Sequence, residues 1–278
     1  MSFLTLKTPP AKIEVVQAGK GRDLLFLHGA GGHMPNDPLL AALATKYRIS
    51  APLLPGYGQS EGEDGLRDML DVTLHVLDVM EKLKLRRPIV VGHSMGGMIA
   101  AEMASIAHTE IEKLCLLAPA GLWLDDHPIV DIFAKLPYEL PALLFHDAEA
   151  GKNLMTAGGG DMGDMEFLKQ FLVMNARRLG MAGKLLFPIP DRGLAGRLHR
   201  ITAKTLIVWG RNDRVVPVPA ALSYKKRIGE NAELVIFDHC GHVPQIERPE
   251  RFNRVLEDFL AAARPQTSGA KGEARRDL

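Results

Sequence analysis

The sequence has little cysteine, no excess of either charge and no long apolar run free of polar residues. Its 278 residues include two cysteines, Cys115 and Cys240. Two thiols cannot build a disulfide framework or a four-ligand zinc site, and both read as small buried hydrophobes. Lysine and arginine number 34 against 33 aspartates and glutamates, a formal net charge of +1. Without a basic excess there is no electrostatic footprint for a nucleic-acid partner. The most apolar long window, 89–107, is interrupted by His93, Ser94, Glu102 and several glycines, so no membrane span is expected. Residues 1–12 lack an apolar core and run into Pro9-Pro10; a secretory signal is not expected, and the expected location is the cytoplasm. What is present is an ordinary globular composition, 46% hydrophobic and 24% charged, enough to bury a full core.

Short β-rich runs alternate with longer helical patterns, the sequence form of an α/β fold with a mostly parallel sheet. Residues 13–17 alternate apolar and polar and read as an edge strand, 24–27 as a buried strand, and 47–51 as a weaker one. Leu66, Met69, Leu70, Thr73, Leu77, Met80 and Lys84 follow helical spacing, which predicts an amphipathic helix over 66–84. A strand at 88–91 leads into a turn and a helix at 95–107, and further strands are expected at 113–117, 205–209 and 234–237. Phe252, Val255, Leu256, Phe259 and Leu260 form the buried stripe of a closing helix.

Between 122 and 199 the rhythm breaks. Five prolines, the run Gly158-Gly159-Gly160 and the methionines 155, 162, 165, 174 and 181 fall there without a convincing strand. We expect a helical insertion above the sheet, with the glycines as a connection and the methionines filling core gaps or lining a pocket. The core then comprises 1–121 and 200–263, and 264–278 reads as a frayed tail.

Gly92-His93-Ser94-Met95-Gly96 has the form G-x-S-x-G between a strand and a helix. A nucleophile must stand clear of the backbone; the glycines relieve crowding at the sharp turn, and the helix N-terminus faces developing negative charge. Ser94 needs a base, and the base needs a carboxylate. His242, after Gly241 and beyond the 234–237 strand, is the preferred base, with His239 as its rival. Asp213, at the carboxyl end of the 205–209 strand, is the preferred acid, with Asp125 and Asp126 as alternatives. The chain order is then serine, aspartate, histidine. His28-Gly29-Ala30-Gly31-Gly32 supplies a small-residue loop whose amides could face an oxyanion, with Ala30 and Met95 as the candidate pair. It carries neither G-x-G-x-x-G nor a P-loop lysine, so it does not read as a phosphate site. His28 and His93 flank turns and read as shaping them. No cofactor signature and no metal requirement is visible.

Taken together, HGAGG, PGYGQS at 55–60, GHSMGG, GRNDRVVP and GHVPQIERPERF resemble the α/β-hydrolase family over nearly the whole chain outside the insertion. The resemblance implies an eight-stranded, mainly parallel sheet, a helical cap at 122–199, and a triad of Ser94, Asp213 and His242 with oxyanion amides at Ala30 and Met95. It implies a serine hydrolase of a small-molecule ester or lactone. Relatives that cleave carbon–carbon bonds in ring-fission products resemble a pattern with GNS at the elbow and tryptophan after the catalytic histidine. This chain has His93 and Val243 there, and such a hydrolase is the alternative. A silent member acting as receptor or scaffold is the alternative of another class. His33, Trp123 and Val243 are candidate pocket residues.

Overall fold

The computed structural model describes residues 1–33, 37–156 and 164–262, so the glycine run, Met162 and the tail lie outside the described residues. Its strands are β1 (Ser2–Thr8), β2 (Ala11–Ala18), β3 (Arg22–Leu27), β4 (Tyr47–Pro52), β5 (Ile89–His93), β6 (Lys113–Leu117), β7 (Lys204–Gly210) and β8 (Ala232–Phe237). They form one sheet in the order β1-β2-β4-β3-β5-β6-β7-β8. β1 and β2 pair antiparallel with each other, β2 pairs antiparallel with β4, and the remaining pairings are parallel. The expected edge strand at 13–17 is therefore the second strand, and β1 is the edge. Ser2 to Thr5 are exposed on both faces, which erases the alternation that would announce a half-buried strand.

The helices are α1 (Pro38–Leu43), α2 (Met69–Lys82), α3 (Met95–Ile106), α4 (Leu140–Leu144), α5 (Ala148–Thr156), α6 (Met165–Leu186), α7 (Pro219–Ile228), α8 (Pro244–Glu247) and α9 (Pro249–Ala261). α2 begins later than its apolar spacing suggests because the Asp68 carboxylate caps it, accepting the Asp71 N–H. Strand alternation divides the core in two. Leu25 and Leu27 of β3 join Val90, Leu116 and the α2 and α3 side chains on one face. Leu24 and Phe26 join Val91, Cys115 and the Phe252, Leu256 and Leu260 stripe of α9 on the other. Both faces are covered, which is why the central parallel strands contain continuous apolar runs at 24–27, 114–117 and 206–209.

Among the described residues, 122–199 contain helices and short helical turns and no strand. The C-terminal half of α6 buries Met181, Ala182 and Leu185 in the cluster that holds Leu54, Tyr57 and Leu66. Arg177 of α6 grips both Glu63 oxygens at 2.8 and 3.1 Å and the Ser60 carbonyl at 2.8 Å. This pairing holds the Glu63 carboxyl below its ordinary range. Further on, Arg197 donates to buried Glu102 of α3, tying the end of the insertion to that helix.

Candidate active site

Ser94 lies between β5 and α3 at φ 54° and ψ −114°, a backbone region that costs a non-glycine residue about 1–3 kcal/mol. The flanking glycines let the turn close. A Cβ on Gly92 would stand 2.4 Å from the Gly96 carbonyl oxygen, and one on Gly96 2.2 Å from that of Leu27. The Ser94 N–H donates to the Leu117 carbonyl at 2.9 Å, and its own carbonyl accepts Met98 and Ala120 N–H groups. The strained residue is thus fixed from the neighbouring strand and from its own helix.

His242 follows β8 and is buried, with Nε2 2.9 Å from Ser94 Oγ. Its Nδ1 is 2.8 Å from Asp213 Oδ2, and the other Asp213 oxygen accepts the N–H groups of Val215 and Val216 at 2.8 and 2.9 Å. With both carboxylate oxygens engaged, Nδ1–H donates to Asp213 and Nε2 is left to accept from Ser94 Oγ. The three residues come from the carboxyl ends of β5, β7 and β8.

Two further histidines set the surrounding backbone. His28 Nε2 accepts the Leu54 N–H at 3.1 Å, so its proton is on Nδ1, which donates to the Gly29 carbonyl at 2.7 Å. That carbonyl belongs to the peptide whose N–H is Ala30's. Because a trans peptide points its two groups oppositely, holding the oxygen aims the Ala30 N–H away from His28. The Gly32 N–H donates to the same oxygen at 3.0 Å, and Tyr57 Oη holds the Ala30 carbonyl at 3.0 Å. Met95 is the first residue of α3, so its N–H has no acceptor within the helix. His93 Nε2 donates to the His242 carbonyl at 2.9 Å. Burial foremost pushes His28 and His93 down to about 3, which keeps both neutral and preserves these bonds.

The other candidates fall elsewhere. Asp125 is exposed and accepts the Trp123 indole N–H at 3.0 Å, and Asp126 is exposed. His239 is exposed and packs on the His146 ring. The His33 ring packs against Phe26 and His28, on the sheet. Val243 is buried directly after His242. Among the described methionines of the insertion, Met181 is buried while Met155, Met165 and Met174 are 44%, 74% and 50% exposed, so core filling applies to Met181 alone. Cys115 and Cys240 are buried free thiols; burial raises both, Cys240 to about 12. Among the described residues no cluster of three metal-ligating side chains occurs, and no helix is long and apolar enough to cross a membrane.

The chain belongs to the alpha/beta hydrolase family, whose model matches residues 24–255. It is 29% identical over 269 residues to the 2-hydroxy-6-oxo-6-phenylhexa-2,4-dienoate hydrolase of Comamonas testosteroni, covering 88% of this chain and 89% of the relative. It is 30% identical over 266 residues to the 2-hydroxymuconate semialdehyde hydrolase of Pseudomonas putida, with the same coverages of 88% and 89%. Among solved structures, the meta-cleavage product hydrolase CumD superposes with a TM-score of 0.75 at 22% identity, over 94% of this chain and 98% of that one. The eight-stranded, mainly parallel sheet is that of the family, and the chain is a hydrolase.

Proposed function

We propose that Ser94 attacks a substrate carbonyl, with His242 as base and Asp213 as the carboxylate that orients it. The observation that carries this is the unbroken hydrogen-bonded line from Asp213 through His242 to Ser94, at 2.8 and 2.9 Å. A serine hydroxyl is a weak nucleophile until a base takes its proton. His242 Nε2 takes it as the bond from Oγ to carbon forms, and the carbonyl oxygen becomes an oxyanion. The N–H groups of Ala30 and Met95 receive that charge, a donor of this kind being worth about 3–4 kcal/mol. His242 then returns the proton to the leaving group, and water repeats the sequence to release the acid. Residues 122–199 act as a cap; the bonds from α6 to Ser60 and Glu63 and those from α4 to the His242 loop support this.

The relatives' names favour a ring-fission dienoate as substrate. Attack at its ketone would break the adjacent carbon–carbon bond, with that carbon taking the proton from His242. Ester or lactone hydrolysis is favoured instead by His93 and Val243, which stand where the ring-fission pattern has asparagine and tryptophan. The deciding experiment offers 2-hydroxy-6-oxo-6-phenylhexa-2,4-dienoate beside a series of p-nitrophenyl esters and lactones. The expected result is loss of the dienoate absorbance, reduced by several orders of magnitude in Ser94→Ala with the fold retained. Turnover of esters or lactones alone selects the second chemistry. A folded protein that turns over none of them, and whose Ser94 resists a phosphonate, contradicts catalysis and leaves a receptor or scaffold.

A further inference from the structure

α4 is a five-residue helix, and its last carbonyls have no partners within it. They are met by the loops that carry the acid and the base. The His242 N–H donates to the Leu144 carbonyl at 2.7 Å. Arg214, next to Asp213, donates through Nη1 to the carbonyls of Ala142 and Phe145 at 2.7 and 3.3 Å. The approach is close: a Cβ on Gly241 would stand 2.6 Å from the Leu144 oxygen. One half-buried side chain fastens both partners. Glu247, at the end of α8, accepts the Gly241 N–H on Oε1 at 2.6 Å and the His146 N–H on Oε2 at 2.7 Å. Its two oxygens therefore bridge the residue before the base and the segment that the base itself leans on.

We propose that Glu247 is a positioning residue: by bracketing Gly241 to His146 it fixes where the His242 imidazole stands, so the base is aligned only while residues 142–146 are seated. This assignment rests on Ser94 and His242 acting as proposed above. Glu247 touches neither, and its effect passes through the backbone. A displacement of the base of about 1 Å is enough to cost about 10²-fold in rate.

The test titrates the full-length protein with a p-nitrophenyl alkylphosphonate, which reads the number of reactive serines and the rate constant per reactive serine separately. The unmodified chain is expected to release about one equivalent of p-nitrophenol, and Ser94→Ala none. Glu247→Ala should keep its equivalents while the rate constant per titrated serine falls about 10- to 100-fold. Glu247→Gln retains one acceptor oxygen and turns an amide N–H toward the other donor, so it should lie between. A rate constant within about twofold of the unmodified chain in both variants overturns the proposal. So does a loss of equivalents with the rate per serine unchanged, the mark of a merely structural side chain. Should Glu247→Ala not fold, Glu247→Gln decides by the same criterion. If the unmodified chain releases nothing, the nucleophile assignment fails first and Glu247 has no base to position.

Discussion

At the scale of single residues, imidazoles do two opposite jobs in this protein. His242 stands between Asp213 and Ser94, where the proposed mechanism needs a base, whereas burial holds His28 and His93 neutral and keeps their bonds to backbone carbonyls. His33 is also pushed down, to about 4, chiefly by burial. An unfolded chain binds protons on these three side chains below about pH 6.5 while the folded chain does not, so stability falls as pH drops from there toward about pH 4. The urea midpoint should accordingly decrease between about pH 7 and about pH 4.5, and His33→Phe, which still packs on Phe26, should flatten that slope. An unchanged slope in His33→Phe would contradict the burial argument. Ser94, Asp213 and His242 could be picked out from the sequence because each follows a strand in a glycine-bearing or acid-bearing turn with a chemical reason for its residue type. The Glu247 bracket could not. Its second donor, His146, is 101 residues away, and no local pattern records a main-chain N–H that distant.

Elements show the same contrast. The parallel strands and α3 are readable because burial on both sides leaves continuous apolar runs, whereas β1 and the short α1 carry too few buried positions to repeat any period. α6 is divided along its length. Its C-terminal half packs against the 54–66 region, while Leu172, Val173 and Met174 in its earlier turns are 56%, 56% and 50% exposed. Leu185→Ala should therefore cost about 2–5 kcal/mol in chemical unfolding, as a fully buried leucine does. Leu172→Ala should stay within about 0.5 kcal/mol of the unmodified chain. Equal costs at the two positions would mean that α6 is held uniformly, against its burial.

The whole molecule brings together candidate site residues that lie far apart along the chain. Ser94 and His242 are 148 residues apart, and His242 follows β8, which among the described residues ends the sheet and pairs with β7 alone. Helices form from contacts nearer in sequence, while contacts of long separation are entropically slow to close. During refolding from urea, phosphonate reactivity should return later than far-ultraviolet dichroism, and simultaneous recovery would contradict this order. The position of β8 also bears on synthesis. On the proposed mechanism, a chain still emerging from the ribosome has no base beside Ser94 until β8 and the loop after it have docked. If Ser94 acts as proposed, its acylation is a chemical stamp of molecules in which β8 and the loop after it have docked.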